Sequence, residues 1–139
     1  MITLETFSDI NDEIVNIRRE VFINEQKISE EEEFEGGEEN FVHVCAYQKS
    51  MLTGYLRISV KETFLHIGRV AVKKQFRKQG VGRTIMFFAE KLGREKNCKF
   101  AVLNAQKQAE GFYKSLGYCA DGDIFYEAGI EHVRMVKEL

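Results

Sequence analysis

The chain has 139 residues, 44% of them hydrophobic and 30% charged, with no proline and a net charge of −2. That is room for one domain, residues 1–139, whose core can bury roughly two thirds of the unfolded surface. The balance excludes disordered and membrane-spanning classes, because no apolar run nears the ~20 residues of a spanning helix. The opening MITLETFSDI lacks the basic and apolar regions of a secretory signal, so a cytoplasmic location is expected.

The small net charge hides a split. Residues 1–50 carry thirteen acids and four bases, whereas residues 69–99 carry ten bases and two acids. A basic segment in a slightly acidic chain suggests a local anion site rather than general nucleic-acid affinity. Cys45, Cys98 and Cys119 are an odd count without CxxC or metal-ligand spacing. Cys45 and Cys98 lie in apolar runs and read as small buried hydrophobes in a reducing compartment; no metal site is expected.

In chain order, ITLETF (2–7) reads as a first strand. Ser8 can cap a helix in which Ile10, Ile14, Ile17 and Val21 recur at helical spacing, ending near Asn24–Gln26. Seven glutamates follow within residues 30–39, broken by Gly36-Gly37. Ser29 with Glu32 can form a capping box for one short turn, and the rest reads as a solvated loop. Consecutive glutamates do not have the alternation of a calcium loop. FVHVCAY (41–47), LTGYLRISV (52–60) and FLHIGRVAV (64–72) alternate as three strands joined by short turns, hence an antiparallel meander.

The period then changes. Val81, Ile85, Phe88, Ala89 and Leu92 mark one helix face, and CKFAVLNA (98–105) is a largely apolar strand. A strand reached through a crossover helix lies parallel to its predecessor, here 64–72. Residues 107–116 form a short helix, and the chain closes as a hairpin around Glu127–Ile130. The fold class is mixed α/β: one mostly antiparallel sheet with one parallel pair and flanking helices.

The segment HIGRVAVKKQFRKQGVGRTIM (66–86) places a basic loop between a strand and a helix, with Arg77, Gly80 and Gly82 spaced as R-x-x-G-x-G. Glycines let a phosphate reach backbone N–H groups, and the helix start adds free donors and the positive end of its dipole. Lys73, Lys74, Arg77, Lys78 and Arg83 raise the local potential, so this is a pyrophosphate cradle. The spacing matches neither GxxxxGK[ST] nor GxGxxG.

These residues resemble the acyl-CoA-binding motif of the GNAT superfamily of N-acyltransferases, over essentially the whole chain. AEGFYKSLGY (109–118) resembles a second motif of that superfamily. RREVFINEQ (18–26), LNAQ (103–106) and FYEAGIEH (125–132) resemble its ElaA/YjcF-like branch, which is bacterial in character. The resemblance implies a sheet whose parallel pair splays, acetyl-CoA as cosubstrate and a small amine as acceptor. It implies that the backbone of Val70, Ala71 and Val72 pairs with the pantetheine arm. The loop of Arg77, Lys78, Gln79, Gly80, Val81, Gly82, Arg83 and Thr84 would hold the pyrophosphate. Ala109, Phe112 and Tyr113 would flank the thioester, with Gln106 where many members carry asparagine.

Acetyl transfer needs a neutral amine, a polarised thioester and a proton for the leaving thiolate. A tyrosine suits the last task, since its ordinary pKa of ~10 is not far above the ~8.5 of a thiol. From spacing Tyr113 is equally a core aromatic or that acid; the resemblance favours the acid. The base is open. Many members carry a glutamate on the fourth strand where this chain has Gly68. His66, His43 and Glu25 are candidates, as is a water chain, while His132 reads as structural first and acceptor-lining second. Arg18, Arg57 or Arg69 can clamp a carboxylate, whereas the glutamate-rich loop points to a cationic acceptor. A peptide N-acetyltransferase and a non-catalytic acyl-CoA sensor are the alternatives to a small-molecule enzyme. No nucleic-acid or membrane partner is expected, and the chain is a monomer or homodimer.

Overall fold

The computed structural model describes all 139 residues. The elements are β1 (Thr3–Phe7), α1 (Asp12–Arg18) continuing as a π-helical segment (Arg19–Glu25), α2 (Glu30–Glu33), β2 (Val42–Gln48), β3 (Met51–Lys61) and β4 (Phe64–Val72). After them come α3 (Val81–Glu95), β5 (Phe100–Gln106), α4 (Glu110–Ser115), β6 (Cys119–Ala120), β7 (Phe125–Glu127) and β8 (Ile130–Glu138). The eight strands form one sheet ordered β1-β2-β3-β4-β5-β8-β6, with β7 on β8, and every pairing is antiparallel except β4–β5. This is the mixed, mostly antiparallel sheet expected, with β6 as an added edge strand. No helix is long and apolar enough to cross a membrane.

The period-2 pattern decides which side chains meet which helices. Val44, Leu56, Leu65, Ile67, Ala101 and Leu103 face α3, where Val81, Ile85, Met86 and Ala89 are buried against them. Two glycines set how closely α3 approaches. A Cβ at Gly54 would lie 2.6 Å from Val81 Cγ1, and one at Gly93 would lie 2.8 Å from Leu65 Cδ2. The opposite face packs Cys45, Leu52, Tyr55 and Ala71 against Ile14, Ile17, Val21 and Phe22. Each such aliphatic side chain stabilises the fold by about 1.5–3 kcal/mol.

The first helix ends at the expected place but not as an α-helix. Asn11, rather than Ser8, caps it through its side chain on Ile14 N–H at 2.9 Å, and after Arg18 the turns widen to the π form. The wider turn puts the consecutive residues Val21 and Phe22 both inside. Such widened turns recur at functional sites.

Beyond the pair His66↔Val102, β4 and β5 no longer bond, while β5 stays paired with β8 as far as Gln106↔His132. The cause lies in β4. Leu56 of β3 opposes both Arg69 and Val70, because Tyr55 pairs Ala71 and Arg57 pairs Gly68. Arg69 takes a left-handed φ of 54°. A bulge of this kind bends its strand and opens the sheet. A non-glycine residue in that region costs on the order of 1 kcal/mol or more. Here it is held by Arg69 Nε on Glu33 Oε2 at 3.2 Å and by Nη2 on the Glu33 carbonyl at 3.3 Å.

Candidate active site

A cavity of about 770 Å³ occupies the gap between β4 and β5. At one end it is lined by Arg77, Lys78, Gly80, Gly82 and Arg83, and at the other by Glu32, Glu33 and Glu35 of the glutamate-rich segment. Val70, Ala71 and Val72 line it from β4, Gln106 from the end of β5, and Ala109, Phe112 and Tyr113 from α4 and the turn before it.

The basic end has the features of an anion cradle. Gly80 sits at φ 88°, a conformation that favours glycine, and a Cβ there would meet nothing within 4 Å. The first intrahelical bond of α3 runs from Thr84 N–H to Gly80 C=O at 3.0 Å, and no side chain caps the helix. The N–H groups of Val81, Gly82 and Arg83 are therefore free donors at the positive end of a fifteen-residue helix. These residues fit a diphosphate. A Cβ at Gly82 would lie 3.0 Å from Phe112 Cζ, so this glycine also lets α4 close over the loop.

Two loop residues contribute less than the spacing implies. Gln79 turns its side chain to the Gln75 carbonyl at 3.1 Å and Thr84 spends its amide on Gly80, whereas Val81 buries its side chain in the core and leaves its amide free. Arg77 lines the cavity, yet its guanidinium is engaged: Nη1 and Nη2 reach Glu25 at 2.6 and 2.7 Å, and Nε donates to the Val72 carbonyl at 2.9 Å.

Tyr113 is 7% exposed, and burial pushes its phenol well above the ordinary value. Its hydroxyl pairs with no protein group and is not among the sealed, unpartnered atoms of the chain, so it opens on the cavity. Tyr118, five residues on, differs: its hydroxyl donates to Glu90 Oε2 at 2.8 Å in the core.

The three side chains expected as bases do not line this cavity. His43 is fully buried, with Nδ1 2.6 Å from Tyr55 Oη and Nε2 2.8 Å from the Glu38 carbonyl. Glu25 is held by Arg77, whose hydrogen bond keeps its carboxyl below the usual range, which makes it a poor base. His66 lies on a second cavity beside the first, and burial, with Arg134 and Lys61 nearby, lowers its pKa. The histidine that reaches the main cavity is His132. Its Nδ1 lies 2.7 Å from the Ile130 carbonyl, an acceptor, so Nδ1 carries a proton and Nε2 is the ring nitrogen left free to exchange one. Glu127 Oε2 is 3.8 Å from that Nε2.

The two acceptor hints of the sequence resolve each other. Arg18 Nε lies 2.7 Å from Glu33 Oε2 and its Nη1 2.9 Å from Glu38 Oε2, while Arg57 Nη1 lies 3.0 Å from Glu38 Oε1. Arg69 completes the cluster on Glu33. Far from being wholly solvated, the glutamate loop sends Glu33 and Glu38 inside, 2% and 6% exposed, to hold the very arginines that looked like carboxylate clamps. Glu33, which sequence reasoning did not single out, lines the cavity, and desolvation raises its pKa. Ser29 Oγ does cap α2, accepting from Glu32 N–H at 3.1 Å, with Glu32 Oε1 taking the hydroxyl proton at 3.0 Å.

Burial pushes the Cys45 thiol up to about 12, which keeps it protonated. No group of three or more His, Cys, Asp or Glu side chains is placed to hold a metal ion.

Residues 6–139 match the family model of the acetyltransferase (GNAT) domain. The chain is 36% identical to the N-acetyltransferase YjcF of Bacillus subtilis over 123 residues, 88% of each chain. The crystal structure of Escherichia coli ElaA superposes with a TM-score of 0.83 at 24% identity, over 99% of this chain and 100% of that one. The structure of the paia N-acetyltransferase from Thermoplasma acidophilum in complex with coenzyme A has the same fold, with a TM-score of 0.75 at 18% identity over 99% of both chains.

Proposed function

The chain belongs to the GNAT acetyltransferase family and is an N-acyltransferase, and on that premise we propose that it transfers the acetyl group of acetyl-CoA to the primary amine of a small molecule by direct attack. The observation that supports this reading is one cavity joining three things: free amide donors at the start of α3, the Tyr113 hydroxyl, and an acceptor end under α2.

In this reading the amides of Val81–Arg83, with Lys78 and Arg83, take the diphosphate. The unpaired β4 backbone beyond His66 takes the pantetheine arm, as an added strand would. Acetyl-CoA supplies the activated acyl group. His132 Nε2 accepts the proton that the amine gives up as its nitrogen bonds to the carbonyl carbon. The C–S bond then breaks, and Tyr113 donates its hydroxyl proton to the departing sulfur. Burial keeps the phenol protonated, and the same dry cavity raises the basicity of the thiolate it must meet.

The test is thiol release from acetyl-CoA across a panel of primary amines. Amine-dependent release with formation of the N-acetyl product is expected. Coenzyme A binding with no amine-dependent release would overturn the reading in favour of an acyl-CoA-binding module.

A further inference from the structure

A second cavity, of about 610 Å³, adjoins the main one and is lined by Phe41, Arg57, His66, Asp123 and Arg134, with others. The two share Ile67, Gly68, Leu103 and Asn104, the residues just past the last bonded pair of β4 and β5. A Cβ at Gly68 would meet no atom within 4 Å, so the step from one volume to the other is open there.

The charge behind this second cavity is positive. Arg18, Arg57 and Arg69 share only two carboxylates, Glu33 and Glu38, which leaves one positive charge in excess. Arg57 is the member of that cluster that lines the second cavity, and burial, with Arg69 and Arg18 nearby, lowers its pKa. Burial, with Arg134 and Lys61, does the same to His66 and favours its neutral ring. Arg134 is paired with Asp121, and Asp123, on the exposed loop before β7, is the acid of this cavity without a basic partner.

Arg57 keeps donors to spare. It meets Glu38 through Nη1 alone, at 3.0 Å, and its Cζ lies 3.9 Å from the centroid of the Phe41 ring, which sets the plane of the guanidinium. Nε and Nη2, the two donors of one guanidinium edge, bond no protein group and are not among the sealed, unpartnered atoms of the chain. A planar edge with two parallel N–H donors matches a carboxylate, which takes both at once.

We propose that the acceptor is an amine with a carboxylate at its far end: the nitrogen reacts beside Tyr113, the chain passes Gly68, and the carboxylate takes the Nε–Nη2 edge of Arg57 in the second cavity. The assignment rests on the acetyltransferase reading above and adds to it a substrate class and a specificity-determining residue. A carboxylate offsets the excess charge of the arginine cluster, whereas a second ammonium adds to it. The neutral ring of His66, on the same cavity, carries one N–H as a further donor.

The experiment compares kcat/KM for ω-amino acids of three, five and seven carbons with n-alkylamines of the same length and with 1,5-diaminopentane, in the wild type, Arg57→Gln, Arg57→Lys and Gly68→Leu. The wild type is expected to favour at least one amino acid over its alkylamine, and over the diamine, by about tenfold or more. Arg57→Gln should bring that ratio near one, whereas a merely structural Arg57 would lower both substrates alike and leave the ratio unchanged. Arg57→Lys keeps the charge but not the paired donors and should fall between. Gly68→Leu should lower the ratio by closing the passage. Coenzyme A binding reports that each variant is folded, and Arg57→Lys and Gly68→Leu keep the test decisive if Arg57→Gln is not. A wild type that prefers no amino acid over its alkylamine, or prefers the diamine, or a ratio that the folded variants all leave alone, overturns this inference and spares the acetyltransferase reading. Acceptance of no amine by a protein that binds coenzyme A overturns both.

Discussion

Tyr113 and Glu25 show how one neighbour decides a side chain's chemistry. Tyr113 packs edge-on against Phe112 and Tyr118, with ring centroids 5.1 and 6.1 Å apart, and its hydroxyl touches no protein group. Phenylalanine keeps those ring contacts and loses only the hydroxyl group. Tyr113→Phe is therefore expected to fold as the wild type does, with kcat lower by ~10²–10⁴ and the KM for acetyl-CoA little changed. Single-turnover thiol release measures this, and a kcat within about twofold of wild type would remove the acid role. Glu25 carries the opposite expectation. Its two oxygens hold Arg77, which in turn holds the Val72 carbonyl, so it braces the loop before α3 from the end of the first helix. The pair is about one third exposed, so it contributes at most about 1 kcal/mol. Glu25→Gln should raise the KM for acetyl-CoA by less than about tenfold and leave kcat almost unchanged. A large kcat loss with KM intact would restore Glu25 as the base.

Four-residue α2 is too short to be stable by itself, so what holds it is the ion cluster beneath. Arg18 is wholly buried and faces two carboxylates, Glu33 and Glu38. Removing one of them leaves a buried charge under-compensated. Glu38→Gln should destabilise the protein by about 3 kcal/mol at neutral pH, read by denaturant unfolding. The pH dependence has a definite sign. The hydrogen bonds and charges of Arg18 and Arg57 outweigh burial and lower the Glu38 pKa below its ordinary 4.5. Its contribution is thus fully present above that value and lost as pH falls through the lower folded one. The gap in stability between wild type and Glu38→Gln should close over that acid range, and a gap constant with pH would show that Glu38 does not titrate with folding. Glu33 runs the other way: burial raises its pKa, so protonation on acidification relieves a cost. The cluster also supports the bulge, because Glu33 is what pins left-handed Arg69.

Over the whole molecule, charge is laid out along one cavity. The segment that closes the acceptor end is acidic, and the loop at the other end carries Lys78 and Arg83 beside free amides. On the proposed function the loop end takes the anionic diphosphate and the acidic end the amine. Exposed charges are screened over ~8 Å at physiological ionic strength. Raising salt should therefore weaken coenzyme A binding and raise the KM of a cationic amine together, while a neutral-tailed amine responds only through coenzyme A. Titration of coenzyme A and steady-state kinetics at low and high ionic strength test this. A coenzyme A affinity indifferent to salt would mean that the basic side chains point away from the phosphates.

The order of elements was legible because period 2 and period 3.6 are local properties, and so was the strand-to-helix turn at Gly80, because glycines just before an apolar helical face are a local signal. Gly80, Gly82 and Tyr113, singled out from their spacing, line one cavity. The bulge was not legible: Arg69 carries no turn signal, and its left-handed backbone is held by Glu33, thirty-six residues away in sequence. Nor was the fate of the glutamates. Glu30 to Glu33 are alike in sequence, and only the positions of Arg18 at the end of α1 and Arg69 on β4 select Glu33 for burial. The same holds for the histidines. His43, His66 and His132 all lie in strands, but His43 is sealed under Tyr55 while His132 comes to the main cavity beside Gln106 through the pairing of β5 with β8. Local chemistry determined which segments form and where glycines open a strand-to-helix turn; contacts between residues distant in the chain decided which charges cancel, which strands part, and which histidine reaches the main cavity.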